Sequence, residues 1–185
     1  MIDETHKDAQ TKMQQAVEFA REDLSTIRTG RAHPAMFNKI QAEYYGAPTP
    51  LQQLATFTST GPRSLLITPF DRSAIAAIEK AIRDADLGVN PGNDGNSIRI
   101  VMPQLTEDRR KEYIKMARSK AEDARVVIRN IRRHAMDQLK KMQKDADISE
   151  DDLSRAEKAM DATTKKFVES IDDILKAKEA ELSEV

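Results

Sequence analysis

Three stretches of this chain repeat apolar residues in alternating steps of three and four, which restricts them to long helices packed side by side. Met13, Val17, Ala20, Leu24 and Ile27 form the first series, and Ile114, Ala117, Ala121, Ala124, Ile128, Ile131 and Ala135 the second. Leu153, Ala156, Met160, Thr163, Phe167, Ile171 and Ile174 form the third, with one slip of step. Such a repeat, sustained over many turns, holds one apolar stripe of each helix toward its partners. Thr106 before Glu107 and Asp108 opens the second helix, and Ser149 before Glu150, Asp151 and Asp152 opens the third. In both, a hydroxyl supplies the cap and acids meet the positive end of the helix dipole. Lys144–Ile148 is a connection short enough to force these two helices into an antiparallel hairpin.

Residues 31–104 lose this repeat. Ile40, Ala42 and Tyr44 alternate, and Leu54–Thr58, Ser64–Thr68 and Ile98–Met102 read as short strands. Gly46–Pro50 reads as a turn, Ser73–Ala85 as a helix carrying Ile75, Ile78 and Ile82, and Asn90–Gly95 as a loop. The expected fold is therefore α+β. Residues 1–30 and 105–185 make an elongated antiparallel three-helix bundle, and residues 31–104 make a small β/α/β domain inserted between its first two helices. The two connections, Arg28–Pro34 and Met102–Leu105, must then lie side by side. A glycine or proline at each crossing permits swivelling, which makes Gly30, Arg31, Pro103, Gln104 and Leu105 the candidate hinge.

Charge is sorted along the chain in a way that its formal net of −1 conceals. Residues 105–144 hold 13 Lys+Arg against 6 Asp+Glu, whereas residues 145–185 hold 6 against 13. The stretch Ala124–Ala135 contains Arg125, Arg129, Arg132 and Arg133 and no acid. On a helical projection with Arg125 at zero, Arg129 falls at about +40°, Arg132 at about −20° and Arg133 at about +80°. Lys111, Lys115 and Arg118 share that arc, and the apolar stripe centres at about −80°. Most acids of this helix occupy the far side, so a cationic flank runs beside the apolar seam. Ordinary solvation needs mixed charge, not sorted charge; sorted cations suit a ridge that binds phosphate.

Little else in the chain suggests chemistry. There is no cysteine for disulfide or thiolate chemistry, and His6, His33 and His134 lie on separate elements without metal-ligand spacing, as surface residues would. No phosphate-binding glycine loop and no nucleophile motif occurs, and Asn90–Gly95 lacks the closing glutamate of a calcium loop. No apolar run approaches the length needed to span a membrane. The expectation is a soluble, cytoplasmic, non-enzymatic chain acting as a monomer, without metal or cofactor. Two classes remain from the residues alone: an RNA-binding rod using its arginines, and a protein-only coiled-coil adaptor using its seam. Membrane-surface binding is a poor third, since the stripe is narrow and lacks large aromatics.

Five stretches, in order, resemble one family. They are Ile27–Ala32 (IRTGRA), Glu43–Leu51 (EYYGAPTPL), Asp86–Pro91 (DLGVNP), Pro103–Arg110 (PQLTEDRR) and Val127–Arg133 (VIRNIRR). This set resembles the bacterial ribosome recycling factors over essentially the whole chain, with small departures at Asp108 and His33. The resemblance implies an L-shaped two-domain molecule that enters the ribosome after termination. It implies binding to large-subunit rRNA and, with elongation factor G and GTP, splitting of the subunits with release of mRNA and tRNA. Matching the family motif residue by residue puts Arg132 first among ribosome contacts, followed by Arg129, Arg133, Arg110, Arg125, Arg28 and Arg31.

Overall fold

The computed structural model describes residues 1–184. Its helices are α1 (Ile2–Ser25), α2 (Leu51–Leu54), α3 (Ile75–Asp84), α4 (Glu107–Lys144) and α5 (Glu150–Ser183). Its strands are β1 (Gln41–Tyr44), β2 (Ala47–Pro50), β3 (Ala55–Gly61), β4 (Ser64–Pro69), β5 (Gly92–Asn93) and β6 (Ile98–Val101). The chain divides into two compact units, residues 1–28 with 108–184 and residues 29–107. The division falls at 28/29 and 107/108, against 30/31 and 104/105 read from where the apolar repeat is lost.

The first unit holds the three long helices. Met13, Val17, Ala20, Leu24 and Ile27 of the first stripe are all buried, as are Ala117, Ala121, Ala124, Ile128 and Ala135 of the second. The α4 stripe drifts in its second half, where Met136 and Leu139 are buried while Ile131 is only partly so. On α5 the buried stripe passes through Thr164, not Thr163. Thr164 is buried and returns its hydroxyl to the Met160 carbonyl, 2.8 Å away. Thr163 instead meets His6 of α1 at 2.8 Å, so His6 ties two helices together and is not the surface residue its isolation suggested. The closest backbone approach is between α1 and α5, not along the alanine-rich stripe of α4. Along its stripe α4 buries mainly alanine, whereas α1 and α5 bury large side chains, among them Met13, Met160 and Phe167.

The α4–α5 turn is fixed at both ends. Ala146 adopts φ 62°, letting its N–H reach the Gln143 carbonyl at 3.0 Å and the Asp147 N–H reach that of Met142 at 2.8 Å. These bonds satisfy the carbonyls left open at the end of α4. The Ser149 hydroxyl accepts from the Asp152 N–H at 3.0 Å, and the Asp152 carboxylate accepts from the Ser149 N–H, forming a reciprocal cap. Arg155, then Ser149, hold the Asp152 carboxyl below the usual aspartate range.

The second unit is a four-stranded antiparallel sheet in the order β3-β4-β6-β5 and a separate β1-β2 hairpin. Phe37, Leu51, Leu65, Ile67, Ile78, Ile82, Ile98 and Ile100 make its core, with α3 packed against β1. Two expectations are corrected here. The tight turn is only Tyr45-Gly46, both at positive φ (51° and 78°), so Ala47–Pro50 leaves the turn and pairs as β2. Its prolines, which cannot donate to a ladder, are tolerated on this short edge. Likewise Gly92–Asn93 pairs with β6 before the Asp94 turn, whose carboxylate accepts from the Asn96 and Ser97 N–H groups.

Tyr44 donates its hydroxyl to Asp71 Oδ2 at 2.7 Å, joining the hairpin to the cap of the short 3-10 turn Arg72–Ala74. The bond to Asp71 is the chief reason that the Tyr44 hydroxyl is pushed up to about 12. The Ser73 N–H, then Tyr44, hold the Asp71 carboxyl below its ordinary value. A tyrosine raised by folding contributes stability that is complete below its unfolded value of about 10 and is lost as pH rises through the folded one. Spectrophotometric titration should therefore show the Tyr44 hydroxyl ionising near 12 in the native protein and returning toward 10 in Asp71→Asn. A titration unchanged by Asp71→Asn would refute this coupling.

Candidate nucleic-acid interface

The arginines of α4 do not stand alone. Arg118, Arg125 and Arg132 recur every seven residues, and each crosses to an acid of α5. Arg118 Nε donates to Glu179 Oε1 at 2.7 Å. Arg125 donates Nε and Nη2 to Asp172 Oδ1 at 2.8 and 2.6 Å. Arg132 donates the same pair of groups to Asp161 Oδ1, both at 2.7 Å. On the opposite side of the stripe, Lys120 reaches Asp23 of α1 at 2.7 Å. The apolar seam is thus bordered by ion pairs on both edges, as the e and g positions of a coiled coil border its core.

This geometry compensates part of the cationic flank. The acids of α4 itself lie mostly on its far side, but α5 lays a second acidic row beside the ridge. The sequence held a usable signal for that row. Residues at similar distances from the 145–149 turn face one another across an antiparallel hairpin, and Asp161, Asp172 and Glu179 lie close to the positions so defined.

The ridge residues fall into two kinds. Arg125 is a tie between helices. Its side chain is only 19% exposed, and its remaining edge, through Nη1, meets Glu122 at 3.1 Å. Burial works against its charge, but Asp172 and Glu122 outweigh burial and raise its proton affinity above the ordinary arginine value. Arg132, 39% exposed, differs in one respect. Asp161 occupies its inner edge, and among the described residues nothing occupies Nη1. Arg129, 54% exposed, shares Glu122 with Arg125, and these two arginines lower the Glu122 carboxyl, Arg129 the more. Arg133 is exposed and, among the described residues, bonds only the neutral Asn130, at 2.9 Å.

The other candidates lie elsewhere. Arg28 is exposed just past the end of α1, and Arg31 is exposed in the second unit. Arg110 sits in the first turn of α4 with its Nε shielded from solvent and without an acceptor among the described residues. The structure groups Arg125, Arg129, Arg132 and Arg133 on one stretch of α4, places Arg110 at the start of the same helix, and leaves Arg28 and Arg31 off it. Among the described residues, no three His, Cys, Asp or Glu side chains converge as metal ligands, and no helix is long and apolar enough to cross a membrane.

Known proteins give this arrangement a context. The sequence profile of the ribosome recycling factor family matches residues 20–182. The ribosome-recycling factor of Kineococcus radiotolerans is 62% identical over 182 residues, covering 98% of each chain. That of Streptomyces coelicolor is 60% identical over 185 residues, covering 100% of both. Among solved structures, the solution structure of a ribosome recycling factor aligns over 100% of this chain and 98% of its own, with a TM-score of 0.78 and 36% identity. A second structure, of the T. thermophilus ribosome recycling factor with E. coli elongation factor G bound to the E. coli post-termination complex, aligns over 98% of both chains at a TM-score of 0.67 and 44% identity. The chain belongs to the ribosome recycling factor family, whose members are translation factors and not enzymes.

The two kinds of arginine separate in stability. Arg125→Ala removes a packed stem and takes from Asp172 its arginine partner, and should destabilise the bundle by about 1–2 kcal/mol. Arg129→Ala, at an exposed position, should stay within about 0.5 kcal/mol. Denaturant melts of the two variants compare them directly, and equal losses would contradict the distinction.

Proposed function

We propose that this protein docks on the post-termination ribosome by laying the outer edge of α4 against large-subunit rRNA. Elongation factor G, using GTP, then drives the movement that splits the subunits and frees mRNA and tRNA. The observation that carries the reading is Arg132: its guanidinium is held on one edge by Asp161 and open on the other, with Arg133 and Arg129 beside it. A planar fork fixed on one edge suits bidentate capture of a phosphate better than a freely rotating lysine does. Arg125 contributes through the packing of the ridge, and Arg28, Arg31 and Arg110 are secondary contacts near the crossings. Family membership supports recycling as the task and disfavours the protein-only adaptor. The factor is taken to act as a cytoplasmic monomer, because free ribosomes are its target.

The hinge belongs to the same reading. Ala32 donates its N–H to the Pro62 carbonyl at 3.1 Å, and Met102 donates its own to the Arg63 carbonyl at 2.7 Å. Both chain crossings are therefore anchored in the second unit at neighbouring residues of the β3–β4 turn. Beyond those anchors lie Gly30 and Arg31 on one crossing and Pro103, Gln104 and Leu105 on the other. Gly30 adopts φ 77°, a conformation that costs other residues about 1 kcal/mol or more.

Co-sedimentation with vacant ribosomes across a salt series tests the ridge. Arg132→Ala should retain its helical content, bind more weakly, and lose about one from the log–log salt slope. Splitting at the native rate by a folded Arg132→Ala, Arg129→Ala variant would overturn the assignment. For the hinge, Gly30→Ala should slow subunit splitting, followed by light scattering, more than it weakens binding. Proportionate changes in both would remove the hinge role.

A further inference from the structure

Every arginine rung on α4 presents the same edge to α5: the Nε–H, with Nη2 joining it at Arg125 and Arg132, closes on a single carboxylate oxygen. At Arg125 the opposite edge is also taken, by Glu122. At Arg132 it is open, and the pair lies at the surface, with Asp161 58% and Arg132 39% exposed. A solvent-exposed ion pair contributes little to stability, so the fold alone gives Asp161 little to do. Its geometry has another consequence. A free arginine side chain samples many rotamers and loses that freedom when it captures a phosphate. Two donor groups closed on one Oδ1 remove much of that freedom beforehand and aim the remaining edge away from α5.

From this geometry we infer that Asp161 is a positioning residue for ribosome binding: it holds the Arg132 guanidinium so that its free edge meets rRNA phosphate. This rests on the ridge reading proposed above. It runs against simple electrostatics, under which a carboxylate beside a phosphate contact repels the ligand and its removal strengthens binding. The sign of one substitution therefore decides between the two accounts.

The experiment measures co-sedimentation with vacant ribosomes at fixed salt for the full-length wild type, Asp161→Ala, Asp161→Asn, Arg132→Ala and Asp161→Ala with Arg132→Ala. Asp161 is an exposed helical position at which alanine is well accepted, and circular dichroism melts verify that each variant is folded. Positioning predicts that Asp161→Ala weakens binding about 3- to 10-fold, the scale of ordering one long side chain. Asp161→Asn, equally uncharged but keeping an oxygen acceptor, should recover most of that loss, and in the Arg132→Ala background Asp161→Ala should cause no further loss. Binding unchanged or tightened by Asp161→Ala, with Arg132→Ala still weak, overturns the positioning role and leaves the ridge standing. Equal weakening by Asp161→Ala with and without Arg132 also overturns it. Arg132→Ala binding like the wild type overturns the ridge itself and this inference with it.

Discussion

The register between α4 and α5 is the constraint on which the rest of the bundle depends. The Ala146 turn and the Ser149–Asp152 cap fix where one helix stops and the other starts. From that fixed end the heptad-spaced arginines meet acids on α5, and the apolar residues between them close the seam. A slip of one residue would rotate a helix by about 100°, burying charges and exposing the stripe together. Burial supplies most of the stability, and the rungs supply selectivity for one alignment.

The same rungs shape the candidate interface. Arginine alone would give a mobile, strongly hydrated surface. Arginine closed on one side by an acid of a neighbouring helix gives donors at defined positions 39–66% exposed at Arg132, Arg129 and Arg118. Arg129 reaches this state through an acid of its own helix, Glu122, whereas Arg118 and Arg132 reach it across the hairpin. Net charge reports none of this, since the two helices nearly cancel. What the surface offers is the pattern of open edges.

The sequence made much of this legible. Apolar spacing located all three long helices, the hydroxyl-acid pattern located the cap of α5, and the arginine arc located the ridge. Pairing between remote residues was harder to read. His6 resembled a stray surface histidine because its partner, Thr163, lies 157 positions away. β2 looked like a turn because two prolines obscured it, although the turn needs only Tyr45 and Gly46. The division of the arginines into tie and open fork depends on which edge each acid occupies, and one-dimensional spacing does not contain that.

The adjacency of the two anchors at Pro62 and Arg63 has a mechanical consequence. Force passed along the chain from the small unit leaves it through two points one residue apart. Tension along the pair is shared between two covalent strands in parallel, as in a doubled rope. A twisting moment about the same pair finds almost no arm to work against. A hinge of the kind proposed would transmit pull and yield to torsion.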